Sequence, residues 1–179
     1  VLSRPLEVVR ENPGIPFHWC LCWADENWTR HWDGGSREIL LEQSYDPATL
    51  DSIIADVVEQ AADPRYLRVA GRPIFLVYRP LMLPDPPGFA HAARAAFAAA
   101  GFPGVHLVYV ESMEAVDRGV RPADLGFDAC VEGPPHGRAA PSTTTAQSSK
   151  EGCSGERYDY PQTVEAFAMV HDREVVVVA

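Results

Sequence analysis

The chain has 179 residues, of which 46% are hydrophobic and 22% charged, and its formal net charge is −10. That length suits one domain with a substantial core. The acidic balance excludes a surface built for non-specific nucleic acid binding or for docking on anionic lipid, because both need basic patches. No apolar run reaches the roughly 18 residues of a membrane span.

The first predicted elements are a helix and a buried strand. Residues 1–11 carry apolar side chains at helical spacing, and Asn12-Pro13-Gly14 ends the helix. Residues 15–23 are nearly continuously apolar, which is typical of a parallel strand covered on both faces. The opening VLSRPLEVVREN reads like the inside of a helix, so we expect the chain to be a segment of a larger protein.

The next part of the chain alternates helices with strands. Residues 24–45 read as a long loop with short turns, and Asp46-Pro47 then gives a helix start. Strands and helices follow in order, each bounded by proline or glycine. The pattern predicts helices over 47–62 and 88–100 and strands over 74–79, 105–111 and 127–132.

The last part of the sequence is less regular. A turn of helix is predicted near residues 113–118. A loop rich in Pro, Gly, Ser and Thr covers 134–157, and its composition is typical of a mobile segment. A final helix is predicted over 161–170 and a strand over 173–178.

Alternating strands and helices predict an α/β fold with a parallel sheet. Both a (β/α)8 barrel and an open doubly wound sheet fit this pattern. The sequence has neither a G-x-G-x-x-G nor a P-loop motif, so the open nucleotide-binding sheet lacks its best marker. Functional groups at the carboxyl ends of several strands favour the barrel, although a barrel usually needs about 250 residues.

Charged residues stand at the ends of three predicted strands: Arg79, Glu111 and Glu132. Two carboxylates that face one cavity are the equipment for glycoside chemistry, with one as acid or base and the other as nucleophile or second base. The alternative is that each glutamate is a solvated residue beyond its strand or pairs with Arg79.

The segment FHWCLCWADENWTRHWDGG (17–35) begins within the first predicted strand and continues into the loop after it. It holds all four tryptophans of the chain. Carboxylates and amides can hydrogen-bond vicinal hydroxyls, an indole can stack on a sugar ring, and an arginine can orient carboxylates. The alternative is a loop packed down by its tryptophans. The candidate binding residues here are Asp25, Glu26, Asn27, Trp28, Arg30 and Trp32.

Two further side chains complete the candidate site. Arg79 follows the second buried strand, and His136 lies in the loop after the fourth, where it could donate to a hydroxyl. Metal-ligand spacing is lacking, so no metal is predicted. The four cysteines show C-x-C rather than C-x-x-C spacing, and we expect reduced thiols and hence a cytoplasmic protein.

The motifs together resemble a known family. CLCWADENWTRHWDG, DPRYLRVAGRPIFLVYRP, VHLVYVES and LGFDACVEGPPH are similar, in this order, to the WbsX-type family of glycosyltransferases, which is also described as glycoside hydrolase family 99-like. The likeness covers residues 1 to about 137, and YDYPQTVEAF resembles a later segment of the family.

The resemblance implies one partial catalytic domain over 1–179, a (β/α)8 TIM barrel represented by about strands 3 to 6. It implies an enzyme of polysaccharide metabolism, of the O-antigen or rhamnan type, with Glu111 and Glu132 as its carboxylates and without a cofactor. Hydrolase and transferase chemistry both stay open, as does a non-catalytic sugar-binding module or an inactive fragment of such an enzyme. Half a barrel would expose sheet edges, so self-association is also expected.

Overall fold

A computed structural model describes residues 4–30, 35–132 and 159–171. In these residues the sheet contains four parallel strands in the order β1-β5-β6-β7, which are Leu21–Trp23, Arg72–Val77, His106–Glu111 and Ala129–Glu132. A short strand β4 (Arg68–Val69) pairs with the start of β5 in antiparallel fashion. The predicted α/β class with a parallel sheet is confirmed. The described strands form an open sheet, so the closed barrel stays a prediction.

Three helices lie between successive parallel strands: α2 (Pro47–Gln60), α3 (Pro86–Ala99) and α4 (Met113–Asp117). Helix α1 (Arg4–Glu11) precedes the first strand, and α5 (Tyr160–His171) follows the last. The start of α2 follows from its sequence, because Asp46 accepts a hydrogen bond from the Thr49 backbone nitrogen at 3.0 Å and Pro47 needs no partner there. Asp85 caps α3 in the same way, with its oxygen 3.0 Å from the Gly88 nitrogen.

One face of the sheet packs against α2 and α3. Phe75 and Leu107 are fully buried neighbours on this face, and Phe89 of α3 lies with its ring centroid 6.1 Å from that of Phe75. The ring centroids of Trp23 and Phe89 are 5.7 Å apart. Alternate residues face the other side of the sheet, where Cys22 and Val131 are exposed. The strands are therefore covered on one side by the described helices.

The first strand is shorter than predicted. Residues 15–18 are exposed and irregular, and regular pairing begins at Leu21. Pro16 has no N–H to give to a ladder, and the Leu21 nitrogen donates to the Tyr66 hydroxyl at 3.1 Å instead of to a strand. Apolar composition alone therefore overestimated the strand.

The segment 24–45 is also corrected. It was predicted as a loop with short turns, but it contains an antiparallel pair, β2 (Trp28–Arg30) and β3 (Gly35–Leu41). Trp28 lies opposite Leu41 and Thr29 opposite Ile39, so aromatic and β-branched side chains meet across the pair. The polar residues of the loop hid this pairing. The predicted mobile loop 134–157 and the strand 173–178 lie outside the described residues.

The amino-terminal edge of the sheet is held by Asp128. Its two carboxylate oxygens accept hydrogen bonds from Arg72 Nη1 at 3.1 Å, Arg94 Nη2 at 3.0 Å and the Leu107 nitrogen at 2.9 Å. Burial opposes its ionisation, but these donors and charges prevail and hold the pKa of Asp128 below its ordinary value. The charge of Asp128 thus ties β5, α3 and β6 together ahead of β7.

We expect Asp128→Asn to lower the free energy of unfolding by about 2–3 kcal/mol, because two arginines lose their shared counter-charge. The exposed Asp51 on α2 offers a matched control, and Asp51→Asn should change stability by no more than about 0.5 kcal/mol. Urea titration of both variants measures the difference. Equal stabilities for the two variants would show that the Asp128 network does not hold the sheet.

Candidate functional site at the carboxyl edge of the sheet

The parallel strands bring several of the predicted site residues to one edge. The β1–β5 ladder continues to Tyr78, whose nitrogen donates to the Trp23 oxygen at 2.9 Å. Beyond it the Arg79 nitrogen donates to Asp25 Oδ1 at 2.6 Å. The side chain of Asp25 therefore continues the hydrogen bonding of the sheet where the backbone of β1 has left it.

Asp25 is a buried carboxyl group. Its exposed fraction is 0%, and Oδ2 has no hydrogen-bond partner among the described residues. Burial raises the pKa of Asp25 from its ordinary value of 3.8 to about 6, while the bond from the Arg79 nitrogen and the Arg79 charge oppose the rise. Tyr45 closes the site from the segment before α2, and its hydroxyl donates to the Asp25 carbonyl oxygen at 2.6 Å.

Arg79 joins three elements through its guanidinium. Nη1 donates to Glu26 Oε2 at 3.1 Å, and Nη2 lies 3.5 Å from Glu114 Oε2 in α4. Glu114 also pairs with Arg118 at 2.8 Å, one helical turn further on. Burial disfavours the charge of Arg79, but Glu26 and Glu114 outweigh it and raise its pKa. A fixed cation flanked by carboxylates thus stands at the exits of β1 and β5.

The residues after Glu26 form a wall beside this cluster. Asn27 Oδ1 accepts a hydrogen bond from the Gln43 nitrogen at 2.7 Å and so fastens the start of β2 to the end of β3. The indole of Trp28 is 54% exposed, which leaves much of it accessible to a ligand. Arg30 pairs with Glu38 across the hairpin at 3.4 Å. The predicted site residues Trp32 and His136 lie outside the described residues.

Glu111 and Glu132 form a second group at the same edge. They are direct register partners at the ends of β6 and β7, so their side chains leave the same face of the sheet from neighbouring strands about 5 Å apart. Glu111 is half-buried and Glu132 exposed. By strand alternation they share the face of Tyr109 and Cys130, the one packed against α3. Burial and the charge of Glu111 raise the pKa of Cys130.

The cluster around Arg79 contains Asp25, Glu26, Tyr45, Glu114 and Arg118, and it is called the Arg79 cluster below. Sequence reasoning missed three of its members: Tyr45, Glu114 and Arg118. The i,i+4 spacing of Glu114 and Arg118 predicts a helical pair, but nothing in it points to Arg79. Tyr45 carries no signal, since its contact with Asp25 joins segments 20 residues apart. In the described ranges, no group of three or more His, Cys, Asp or Glu side chains gathers in a way that would hold a metal ion.

The described thiols are poor nucleophiles. Cys20, Cys22 and Cys130 are free, and partial burial raises the pKa of each, including Cys22, which keeps an exposed surface. The pKa of Cys22 reaches about 11, with smaller contributions from Asp25 and Cys20. The groups able to do chemistry at this edge are therefore carboxyl, guanidinium, phenol and indole groups. Carboxyl and phenol groups are able to exchange protons, and carboxyl, guanidinium and phenol groups are able to hydrogen-bond hydroxyls.

The parallel sheet with its connecting helices places the chain in the α/β class, with acidic and aromatic side chains at the carboxyl edge of the sheet. Sequence comparison gives the family. The chain matches the family described as "Glycosyltransferase WbsX" over residues 1–176, and it belongs to that family. The resemblance inferred from the motifs is thereby confirmed.

Two relatives, each called "Uncharacterized protein WxcX", come from two strains of Xanthomonas campestris pv. campestris. Each is 39% identical over 147 residues, which cover 82% of this chain and 21% of the relative. The chain therefore spans about one fifth of the length of the relatives it matches. No solved structure matches it. No helix in the described ranges is both long and apolar enough to cross a bilayer.

The raised pKa of Asp25 makes stability depend on pH. The folded state binds the Asp25 proton more tightly than the unfolded chain does, so stability falls as pH rises from about 4 through about 6. We expect Asp25→Asn to remove this loss. The difference in unfolding free energy between Asp25→Asn and wild type should therefore change in favour of the variant by up to about 3 kcal/mol as the pH rises from 4 to 8.

Urea unfolding at a series of pH values measures this difference. Asp46→Asn is the control, because hydrogen bonds from Ser44 and Thr49 lower the pKa of Asp46 to about 2. From pH 5 to pH 8 Asp46 is ionised in both states, so over that part of the series its variant should differ from wild type by a constant amount, whereas the Asp25→Asn difference should still change. A pH-independent difference for Asp25→Asn as well would contradict a raised pKa at Asp25.

Proposed function

We propose that this chain supplies one wall of the active site of an enzyme that acts on glycosidic bonds in polysaccharide metabolism. The observation that carries the proposal is the gathering of Asp25, Glu26, Arg79 and Glu114 at the carboxyl edge of the parallel sheet. Membership of a glycosyltransferase family supports the same substrate class. The net charge of −10 suits a neutral saccharide better than a nucleic acid.

In this proposal Glu111 and Glu132 form the acid and base pair. Their direct register supports the pairing, since glycoside chemistry uses two carboxyl groups within about 5–10 Å of each other. Their position on the helix-covered face means that a sugar would reach them from above the strand ends. The pair would protonate the leaving oxygen and activate the attacking group.

Binding falls to the residues around Arg79 and to the β2–β3 wall. The exposed indole of Trp28 offers an apolar surface for a sugar ring, as we propose also for Trp32. Glu26, Asn27, Arg30 and His136 would contribute polar contacts to hydroxyls. Arg79 and Arg118 together balance the charges of Glu26 and Glu114, so the surface is polarised but nearly neutral, which suits an uncharged ligand.

A (β/α)8 barrel is the architecture we propose for the whole catalytic domain. The strand order, the helical crossovers and the apolar face that carries Leu76, Val108 and Val131 are compatible with it, since this face would point into a barrel. The same apolar face and the edges at β1 and β7 would support self-association of the chain alone. The free thiols support a cytoplasmic location.

A non-catalytic sugar-binding module is the second candidate. The observation that favours it is the coverage of one fifth of the relatives' length, because catalysis could use residues elsewhere in such proteins. A binding module would keep Trp28 and the Arg79 cluster for contact with sugar and would make no use of the proton exchange offered by Glu111 and Glu132.

Glutamine substitution tests the enzyme proposal. On a panel of O-antigen oligosaccharides, Glu111→Gln and Glu132→Gln should each lower turnover by about 100-fold or more, with saccharide affinity retained. Products should be assayed with water alone and with an activated sugar donor, to separate hydrolysis from transfer. The exposed Glu59 of α2 provides the matched control, and Glu59→Gln should leave turnover unchanged.

Two outcomes would reject parts of the proposal. Unchanged turnover in both strand-end variants would eliminate the two glutamates as the catalytic pair. Saccharide binding by the wild-type chain without any turnover would favour the binding module.

A further inference from the structure

The side chain of Asp25 takes the place of a backbone acceptor. After Trp23 the backbone of β1 turns away from β5, and the next N–H along β5 is that of Arg79. A buried N–H without a partner is costly, and the Asp25 Oδ1 atom meets it at 2.6 Å. The bond fixes the backbone of Arg79, from which the guanidinium then extends.

The guanidinium does not neutralise Asp25. In the part of the chain that the structure describes, it pairs with Glu26 and Glu114, while Asp25 Oδ2 is buried without a partner. Burial without a paired charge destabilises a carboxylate relative to its neutral acid. The geometry therefore favours a proton on Asp25.

The other titratable groups around Asp25 do not remove this preference. They are Cys22 in β1, Glu26 in the following loop, Tyr45 before α2 and Arg79 after β5. Burial and the nearby Asp25 raise the pKa of both Cys22 and Tyr45, so these two stay uncharged near neutral pH. Glu26 and Arg79 carry opposite charges and pair with each other at 3.1 Å.

We propose that Asp25 is a positioning residue that holds the backbone of Arg79 and that, while it carries a proton, leaves the guanidinium to Glu26 and Glu114 at the ligand-facing edge. Asp25 is fully buried, so in this proposal it acts on a ligand through Arg79 and not by direct contact. When Asp25 loses its proton, a third negative charge attracts the guanidinium, and the pairing of the guanidinium with Glu26 and Glu114 weakens. The saccharide as ligand rests on the proposed function, whereas the coupling of Asp25 to Arg79 does not.

Nuclear magnetic resonance of the wild-type chain gives the first test. The carboxyl carbon of Asp25 should titrate with a midpoint near pH 6, and the Arg79 Nε resonance, assigned with Arg79→Lys, should move with the same midpoint. A titration of Asp25 without any change at Arg79, or an Asp25 that is ionised throughout pH 5–8, would overturn the proposal.

Variants give the second test. Asp25→Asn keeps an oxygen for the Arg79 nitrogen without a charge, so the Arg79 resonance should keep its low-pH position from pH 5 to pH 8. Asp85→Asn changes only the exposed cap of α3, so its Arg79 resonance should shift with pH as it does in wild type. An Asp25→Asn protein whose Arg79 resonance still titrates with a midpoint near pH 6 would refute the coupling.

Saccharide affinity separates this proposal from the proposed function. On the same oligosaccharide panel, Asp25→Ala should weaken binding about tenfold, and Asp25→Asn should stay within about twofold of wild type. If no saccharide binds while Asp25 and Arg79 titrate together, the function fails and the positioning stands. If saccharides bind equally well to wild type and to both Asp25 variants, and the Arg79 resonance does not change when Asp25 titrates, the positioning proposal fails and the proposed function stands.

Discussion

The parallel register of β1, β5, β6 and β7 is the constraint on which the other features depend. Because all four strands run the same way, every residue that follows a strand arrives at the same edge of the sheet. Residues far apart in sequence, such as Asp25 and Arg79, become neighbours without any further device. The helices α2 and α3 maintain the register by filling one face with buried aromatic and aliphatic side chains.

The two edges of this sheet use aspartate in opposite ways. Asp128 at the amino edge has two arginines and a backbone donor, and its lowered pKa marks a charge that stabilises the fold. Asp25 at the carboxyl edge is buried, with one oxygen that has no partner among the described residues, and its raised pKa marks a group kept at some cost to stability. Strongly perturbed groups of the second kind cluster at functional sites.

Local sequence rules predicted the helices and the buried strands. Asp46-Pro47 predicted the start of α2. The apolar runs that begin at Ile74 and at Val105 correspond to β5 and β6. The β2–β3 pair was not predicted, because its partners depend on cross-strand contacts such as Trp28 with Leu41 rather than on local pattern. The family was readable from motifs, and sequence comparison confirmed it.

The site was predicted in outline only. Arg79 and Glu26 were identified because strand ends attract functional groups, but the contacts of Arg79 with Glu114 and of Tyr45 with Asp25 needed three-dimensional packing. The protonation of Asp25 could not be read from sequence either, since it depends on burial and on which anions the guanidinium serves.

A crystal structure of the chain with the tightest-binding oligosaccharide would decide whether the carboxyl edge is the ligand site. We expect a sugar ring against the exposed face of Trp28, with hydroxyls within hydrogen-bond distance of Glu26 or Arg79. A sugar bound instead at the amino edge near Asp128, or on the outer surface of α2 and α3, would contradict the assignment of the site to the carboxyl edge.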